Sequence, residues 1–188
     1  ASNVAVGYRA LTTQTTGASN TAIGLDALRL NTTGAENSAV GTSSLLDNTT
    51  GTRNSAMGYL ALGNNTTGND NVAFGRTSLY TNTTGAGNVA LGKDAMDANT
   101  TGSNNVAIGI DALNTNTTAS NNVAIGANAM DANTTGTRNV AVGMEALKTV
   151  TTAGYNVAIG SGSLRLNTAV GNTAVGDYSA NANTTGTL

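Results

Sequence analysis

The sequence contains no cysteine, histidine, proline or tryptophan, and its 188 residues include a single phenylalanine. Without cysteine there is no disulfide framework and no thiolate metal site. Without histidine as well, Ser-His-Asp triads, cysteine nucleophiles and ordinary zinc sites lack their essential residues. The lack of proline agrees with a chain in which nearly every backbone N–H is needed in a hydrogen-bonded ladder. We therefore predict a protein that is not an enzyme and has no cofactor and no metal ion.

Charged and bulky side chains are also scarce. Only 10% of the residues are charged and 3% are aromatic, which leaves little bulk for a conventional globular core. The net charge of -2 argues against a nucleic-acid groove, and no apolar run is long enough to span a bilayer. We expect no nucleic-acid partner and no membrane insertion. The chain starts inside a repeat, so we also expect it to be a segment of a longer fibre.

A 17-residue repeat fills the chain. The unit reads N-[VTS]-A-[VI]-G-x-x-[AS]-L-x-x-N-T-T-G-x-x, and we number its positions 1 to 17 from the first asparagine. A fixed short period is typical of a solenoid or fibre, because a unit this small becomes stable only by stacking on its neighbours. Residues 1–188 are therefore predicted to form a single repeat array. Its eleven units begin at Asn3, Asn20, Asn37, Asn54, Asn71, Asn88, Asn105, Asn122, Asn139, Asn156 and Asn172.

Positions 1 to 5 of each unit have the alternation of a β-strand. Positions 2 and 4 carry β-branched or larger residues, whereas positions 3 and 5 are alanine and glycine in every unit. We expect the alanine and glycine face to approach another chain or sheet closely. Position 9, usually leucine, supplies a second apolar ridge. The fold class predicted is all-β, a parallel β-solenoid or β-roll of eleven 17-residue repeats, with a side-by-side trimer favoured.

The charged residues occupy only positions 6, 7, 10, 11 and 17. Stacked units would place equivalent residues about 4.8 Å apart, where like charges destabilise a sheet. We expect these positions to be exposed corners, and positions 1 to 5, 8 to 9 and 12 to 15 to be packed or laddered walls. Asparagine at positions 1 and 12 is predicted to form amide ladders or to hold left-handed turns. Glycine at position 5 is predicted to have a positive φ or to allow close approach of another backbone.

The tenth unit departs from this pattern. Its last part, Asn167-Thr168-Ala169-Val170-Gly171, is one residue shorter than N-T-T-G-x-x. We predict a local defect there, as a bulge or a shortened loop.

The pentapeptide N-V-A-I-G at residues 105–109 and 122–126, followed by A-L or A-M, resembles the motif of YadA-type trimeric autotransporter adhesin heads. Whole units ending in N-T-T-G also resemble NTAIG/NTTG tandem repeats of phage tail fibres and large bacterial surface proteins. The adhesin resemblance implies a left-handed parallel β-roll of three chains and binding or spacer duty at a cell or virion surface. The units here are longer than those of the adhesin heads, which leaves room for a longer loop or a short helical turn around residues 24–28.

Taken with the resemblance, the sequence predicts a structural, non-catalytic shaft or adhesive head of an extracellular or virion-associated fibre. Its partners would be copies of itself and a cell-surface or matrix receptor. The carboxylates of Asp94 with Asp97, and of Asp111 with Asp131, lie on corner positions and are interpreted as solvated rather than catalytic.

Two further hypotheses come from the N-T-T tripeptide. It matches the N-glycosylation acceptor pattern at eight asparagines. The threonine at position 13 of every unit would form a regular column, and the alternative function is an ice-binding β-solenoid that uses this column. The glycosylation pattern occurs at Asn31, Asn48, Asn65, Asn82, Asn99, Asn116, Asn133 and Asn183.

Overall fold

The computed structural model describes residues 2–184 and 186. Each repeat forms one coil with a three-residue strand at positions 2 to 4, and the strands join in chain order into one eleven-stranded sheet. The described residues contain no helix, and the predicted all-β parallel solenoid is confirmed. The strands are β1 (Val4–Val6), β2 (Thr21–Ile23), β3 (Ser38–Val40), β4 (Ser55–Met57), β5 (Val72–Phe74), β6 (Val89–Leu91), β7 (Val106–Ile108), β8 (Val123–Ile125), β9 (Val140–Val142), β10 (Val157–Ile159) and β11 (Thr173–Val175).

The register of the sheet places equivalent positions directly beside one another. Ala22 pairs with Ala39, and Ile23 pairs with Val40. The register holds even across the short tenth unit, where Val157 pairs with Thr173. Matching side chains of successive coils therefore form continuous columns.

The interior of the coil is narrow and filled mainly by alanine and leucine. Position 3 faces inward, as at Ala22, and packs with the residues of positions 8 and 9, as at Ala27 and Leu28; all three are fully buried. Only a methyl group fits between the strand and the opposite side of such a coil, which explains the invariant alanine. The expectation that this face would meet another chain is wrong, because the alanine face is closed inside its own coil.

Positions 6 to 11 form an irregular turn, so of the two options for residues 24–28 the chain adopts the loop. Asp26 and Leu28 have φ of 58° and 49°, although left-handed backbone is unfavourable for residues other than glycine. Backbone hydrogen bonds to both neighbouring coils hold this conformation. The Asp26 N–H donates to Tyr8 (2.9 Å), and the Leu28 N–H donates to Ser44 (3.0 Å).

Both reasons for glycine at position 5 are present at once. Gly24 has a φ of +137°, and a Cβ built on it would lie 2.5 Å from the carbonyl oxygen of Gly41 in the next coil. Position 15 shares the close approach, since a Cβ on Gly34 would lie 2.4 Å from the carbonyl oxygen of Gly51, but its φ is not positive, and Ala119 and Ala153 occupy it in two coils.

The asparagines of positions 1 and 12 form two buried amide ladders, as predicted. The backbone N–H of Asn37 donates to Oδ1 of Asn20 (3.0 Å) in the position 1 ladder. In the position 12 ladder, Nδ2 of Asn48 donates to Oδ1 of Asn31 (2.7 Å) and to the carbonyl of Gly51 (3.0 Å). Each amide therefore joins its coil to the next one and closes its own turn.

The shortened loop predicted for the tenth unit is present. Nδ2 of Asn167 donates to the carbonyl of Ala169 (2.7 Å), two residues on. Its Oδ1 accepts from Nδ2 of Asn172 (3.1 Å). Asn167 thus bonds to its own loop and to the first residue of the eleventh coil, and the defect is confined to the region around positions 12 to 15 while the strand register is kept.

Candidate interaction surface

The outward face of the sheet carries the side chains of positions 2 and 4. Because alternate residues of a strand point to opposite faces, burying the alanine of position 3 turns its two neighbours outward. Val6 is 57% exposed, Met57 is 49% exposed and Phe74 is 38% exposed. The largest apolar side chains of the strands are therefore on the surface.

These residues form one uncharged stripe along the whole described sheet, which we call the strand stripe. Position 4 is apolar in all eleven coils, and position 2 is valine in seven coils and threonine or serine in the others. At about 4.8 Å between strands and 3.3 Å per residue, the stripe is about 48 Å long and 10 Å wide. Its position 4 members are Val6, Ile23, Val40, Met57, Phe74, Leu91, Ile108, Ile125, Val142, Ile159 and Val175.

The stripe is not uniform along its length. The side chains of Val40, Ile108 and Val142 are half-buried. The larger side chains of Met57 and Phe74, on adjacent coils, are exposed. Tyr59, at position 6 beside them, is 52% exposed. The bulkiest part of the surface therefore lies at the fourth and fifth coils.

The sequence contained a signal for this surface that the alternation alone did not resolve. Columns inside the narrow coil tolerate almost no change of volume, so alanine at position 3 never varies. Position 4 ranges from valine to phenylalanine, which is typical of side chains that are free on one side. Variation of size between coils thus distinguishes the outer column from the inner one.

Opposite charges connect neighbouring coils at the corners. Nε of Arg9 lies 2.7 Å from Oδ1 of Asp26, and Nε of Arg165 lies 2.7 Å from Oε2 of Glu145. The hydrogen bond from Arg9 lowers the pKa of Asp26. Hydrogen bonds from Lys148 and Arg165 lower the pKa of Glu145. The corner positions predicted from the sequence therefore carry the ion pairs, outside the strand stripe.

Two of the four carboxylates paired in the sequence analysis, Asp97 and Asp131, are partly buried. Burial raises the pKa of Asp97, and the nearby charge of Asp94 raises it further. Burial and the charge of Asp111 raise the pKa of Asp131 in the same way. Oδ1 of Asp97 has no hydrogen-bond partner. Asp97 and Asp131 are therefore partly buried, which corrects the interpretation of these two carboxylates as solvated.

The eight asparagines of the glycosylation pattern are those of position 12. From Asn31 to Asn133 they are fully buried, and Nδ2 of Asn82, for example, donates to Asn65 (2.8 Å) and Gly85 (3.0 Å). Asn183, in the last coil, makes its hydrogen bonds at an exposed site. A glycan on a buried member would have to replace ladder hydrogen bonds.

The threonines of position 13 are also used by the fold. Oγ1 of Thr32 donates to the carbonyl of Thr49 (3.0 Å), and Oγ1 of Thr49 donates to that of Thr66 (3.0 Å). These side chains are half-buried, whereas the threonines of position 14, such as Thr33, are exposed. The hydroxyl hydrogens of the predicted column are therefore directed along the stack and not to solvent.

Within residues 2–184 and 186, no cavity opens and no group of three acidic side chains could hold a metal ion. The same described residues contain no helix that would cross a membrane. Comparisons of the chain with protein families, with curated proteins and with solved structures find no match. The strand stripe runs along all eleven strands of the described sheet.

Proposed function

We propose that this chain is a structural, non-catalytic shaft of an extracellular or virion-associated fibre, and that three copies lie side by side through the strand stripe. The observation that carries the proposal is the continuous, uncharged and apolar outer face of an in-register sheet. Monomeric proteins rarely expose contiguous apolar patches larger than a few hundred Å². A partner that covers the stripe would remove this exposed area from water.

The dimensions of the stripe can be compared with those of known interfaces. Its planar area of about 500 Å² per chain is below the roughly 800 Å² that each partner buries in a standard interface, and in a trimer it is divided between two neighbours, so the turns beside the stripe would have to contribute contacts. A second copy has the same strand spacing along its own stripe, so side chains that fit at one coil also fit at the following coils. Closed cyclic symmetry would keep the copies parallel and in register.

The number of copies and the location of the fibre depend on the resemblance to adhesin heads and tail-fibre repeats. Three stripes around a common axis would cover each other and leave the charged corners in solvent. A receptor would then contact the corners, the turns or the position 14 threonines, which stay outside such a core. The adhesive and the spacer roles are compatible with the same assembly.

Sedimentation equilibrium tests the proposal. A mass three times the 18.5 kDa of one chain supports it, and an 18.5 kDa species at tens of micromolar concentration contradicts it. The variant Ile108→Asp with Ile125→Asp places two charges in the stripe and should give monomers with an unchanged circular dichroism spectrum. The matched control, Thr101→Asp with Thr118→Asp, adds the same charge at exposed position 14 of two adjacent coils, the sixth and the seventh. It should keep the assembly intact.

The ice-binding alternative receives less support from the geometry. The position 13 hydroxyls donate within the stack, and the segment that carries them is a bend and not a flat strand. Thermal hysteresis of the purified protein measures this function directly. Unmodified ice crystals would exclude it.

A further inference from the structure

The region around positions 12 to 15, which we call the N-T-T wall, is held by a repeated set of hydrogen bonds. Between the eighth and ninth coils, the N–H groups of Thr134 and Thr135 both donate to the carbonyl of Thr151 (2.8 and 3.2 Å). Oγ1 of Thr134 donates to the same oxygen (3.1 Å). Three donors thus converge on one carbonyl of the next coil.

This set is missing between the ninth and tenth coils. Among the described residues, the N–H groups of Thr151 and Thr152 have no hydrogen-bond acceptor, and Oγ1 of Thr151 has none either. The carbonyl of Thr168 would be the equivalent acceptor. Thr151 is accordingly exposed, whereas Thr32 and most other members of its column are half-buried.

The amide ladder of position 12 ends at the same place. The ninth coil has Val150 where the other inner coils have asparagine, and Oδ1 of Asn133 is buried without a hydrogen-bond partner. On the other side, Asn167 bonds to Ala169 of its own loop and to Asn172 of the eleventh coil, and not to the ninth coil. The valine therefore breaks the ladder at both boundaries of the ninth coil, and the one-residue deletion accompanies the loss of the threonine bonds at its boundary with the tenth.

The remaining sides of these two coils stay joined. β9 and β10 pair in full register. In the turn, the Leu147 N–H donates to Ser163 (3.1 Å) and the Thr149 N–H donates to Arg165 (3.0 Å). Glu145 and Arg165 form an ion pair across the same boundary. Beyond the wall, the Gly171 N–H donates to Gly154 (3.1 Å), and the Asn156 N–H donates to Oδ1 of Asn139 (2.9 Å). The coils are thus connected on both sides of the N-T-T wall and unconnected at the wall itself.

We infer that the solenoid has a built-in hinge between its ninth and tenth coils, at which the N-T-T wall opens while the strands remain paired. In a stack where each coil contacts only its neighbours, stability is a sum over boundaries, and a boundary that lacks the bonds of one wall opens there more easily than a complete one. The tenth and eleventh coils move as one unit about the β9 and β10 strands. The opening breaks the bond between the Gly171 N–H and the carbonyl of Gly154 beside the wall, on a side of the shaft away from the strand stripe.

Hydrogen exchange of the whole chain, followed by NMR, tests the hinge. The Gly171 N–H, which donates to the carbonyl of Gly154 across this boundary (3.1 Å), should exchange at least about 100-fold faster than the Tyr155 N–H, which donates to Thr137 across the previous boundary (3.0 Å). Equal rates at the two boundaries would overturn the inference. Because the N-T-T wall lies outside the strand stripe, the result does not depend on whether the chain forms trimers.

A repair variant tests the cause. Insertion of one threonine between Thr168 and Ala169 restores a 17-residue unit ending N-T-T-A-V-G, with alanine at position 15 as at Ala119. Combined with Val150→Asn, it should slow exchange at Thr151 and Thr152 by at least about tenfold. Val150→Asn alone is the control, since it supplies a donor for Asn133 but leaves these two amides unpaired and fast. A fully folded repair variant with unchanged exchange would contradict the assignment.

Discussion

A Cβ built on Gly75 would lie 2.3 Å from the carbonyl oxygen of Gly92, the equivalent residue one coil further on. The φ of Gly75 is +137°, so a side chain there meets backbone strain and a backbone collision together. Neither coil can move away alone, because β5 and β6 are paired through Val72 and Val89 on one side of the contact. The same relationship recurs along the stack and fixes how closely the coils approach.

Gly75→Ala should therefore lower the free energy of unfolding by about 3–5 kcal/mol, the sum of strain and overpacking. The matched comparison is Gly85→Ala at position 15. A Cβ there would also lie 2.3 Å from a carbonyl oxygen, that of Gly102, but its φ is not positive and two other coils accommodate alanine, so the expected cost is about 1–2 kcal/mol. Urea denaturation followed by circular dichroism measures both. Similar costs for the two variants would show that the positive φ at position 5 adds nothing to the cost.

Asn82→Ala should destabilise the fold by about 3 kcal/mol, because it leaves buried partners without hydrogen bonds. Nδ2 of Asn99 loses its acceptor on Asn82 (2.8 Å), and Oδ1 of Asn65 loses its donor (2.8 Å). Thr84→Ala, at exposed position 14 of the same coil, is the control and should change stability by less than about 0.5 kcal/mol. Thermal unfolding measures both variants. Equal midpoints would show that the amide ladder does not stabilise the fold.

The same burial predicts how the chain behaves in a host that attaches N-glycans. A sugar on Nδ2 of Asn82 would remove one of its donor hydrogens and would not fit in the fully buried ladder. We expect the folded fraction to carry no glycan at the buried position 12 asparagines from Asn31 to Asn133. Any modification of folded molecules should be at Asn183 or at Asn64, which also matches the acceptor pattern as N-N-T and is half-buried at position 11. Intact mass and peptide mapping of the folded fraction decide; a glycan at Asn82 in folded protein would contradict the structure.

The acids of the corners should give opposite pH effects. The raised pKa of Asp97 means that the folded chain binds this proton more tightly than the unfolded chain, so its contribution to stability rises as the pH falls through the folded pKa. Asp97→Asn should stabilise the protein at pH 7, and the gain should vanish below about pH 4, near the ordinary pKa of aspartate. Asparagine is already present at position 10 as Asn114.

Asp26→Asn is the matched comparison. The hydrogen bond from Arg9 lowers the pKa of Asp26, so the stabilisation by the carboxylate is present above the unfolded pKa and is lost as the pH falls through the folded pKa. The variant should therefore be less stable than the parent at pH 7 and equal to it in strong acid. Melting temperatures of the parent and both variants, measured between about pH 2 and pH 7 to cover the ordinary carboxyl range, check this prediction. The assignment is wrong if the two substitutions change the melting temperature in the same direction at about pH 7.

Much of the architecture was predictable because the repeats of this one chain can be compared with one another. Invariant alanine and glycine at positions 3 and 5 indicated tight packing, and charges confined to a few positions indicated the corners. The ladder role of asparagine followed from its recurrence at positions 1 and 12. The short tenth unit indicated the defect, although the sequence did not show that β11 would keep its register with β10.

The sequence by itself determined the period, the strand positions and the columns, since these follow from the spacing of identical residues. Only the tertiary structure decided which face of each strand is inside. Alternation distinguishes two faces but does not assign them, and both Ala22 and Ile23 are apolar. The choice depends on the width of the closed coil, where left-handed turn residues such as Asp26 and Leu28 bring the chain back so tightly that a methyl group fills the space and the larger side chains must face outward.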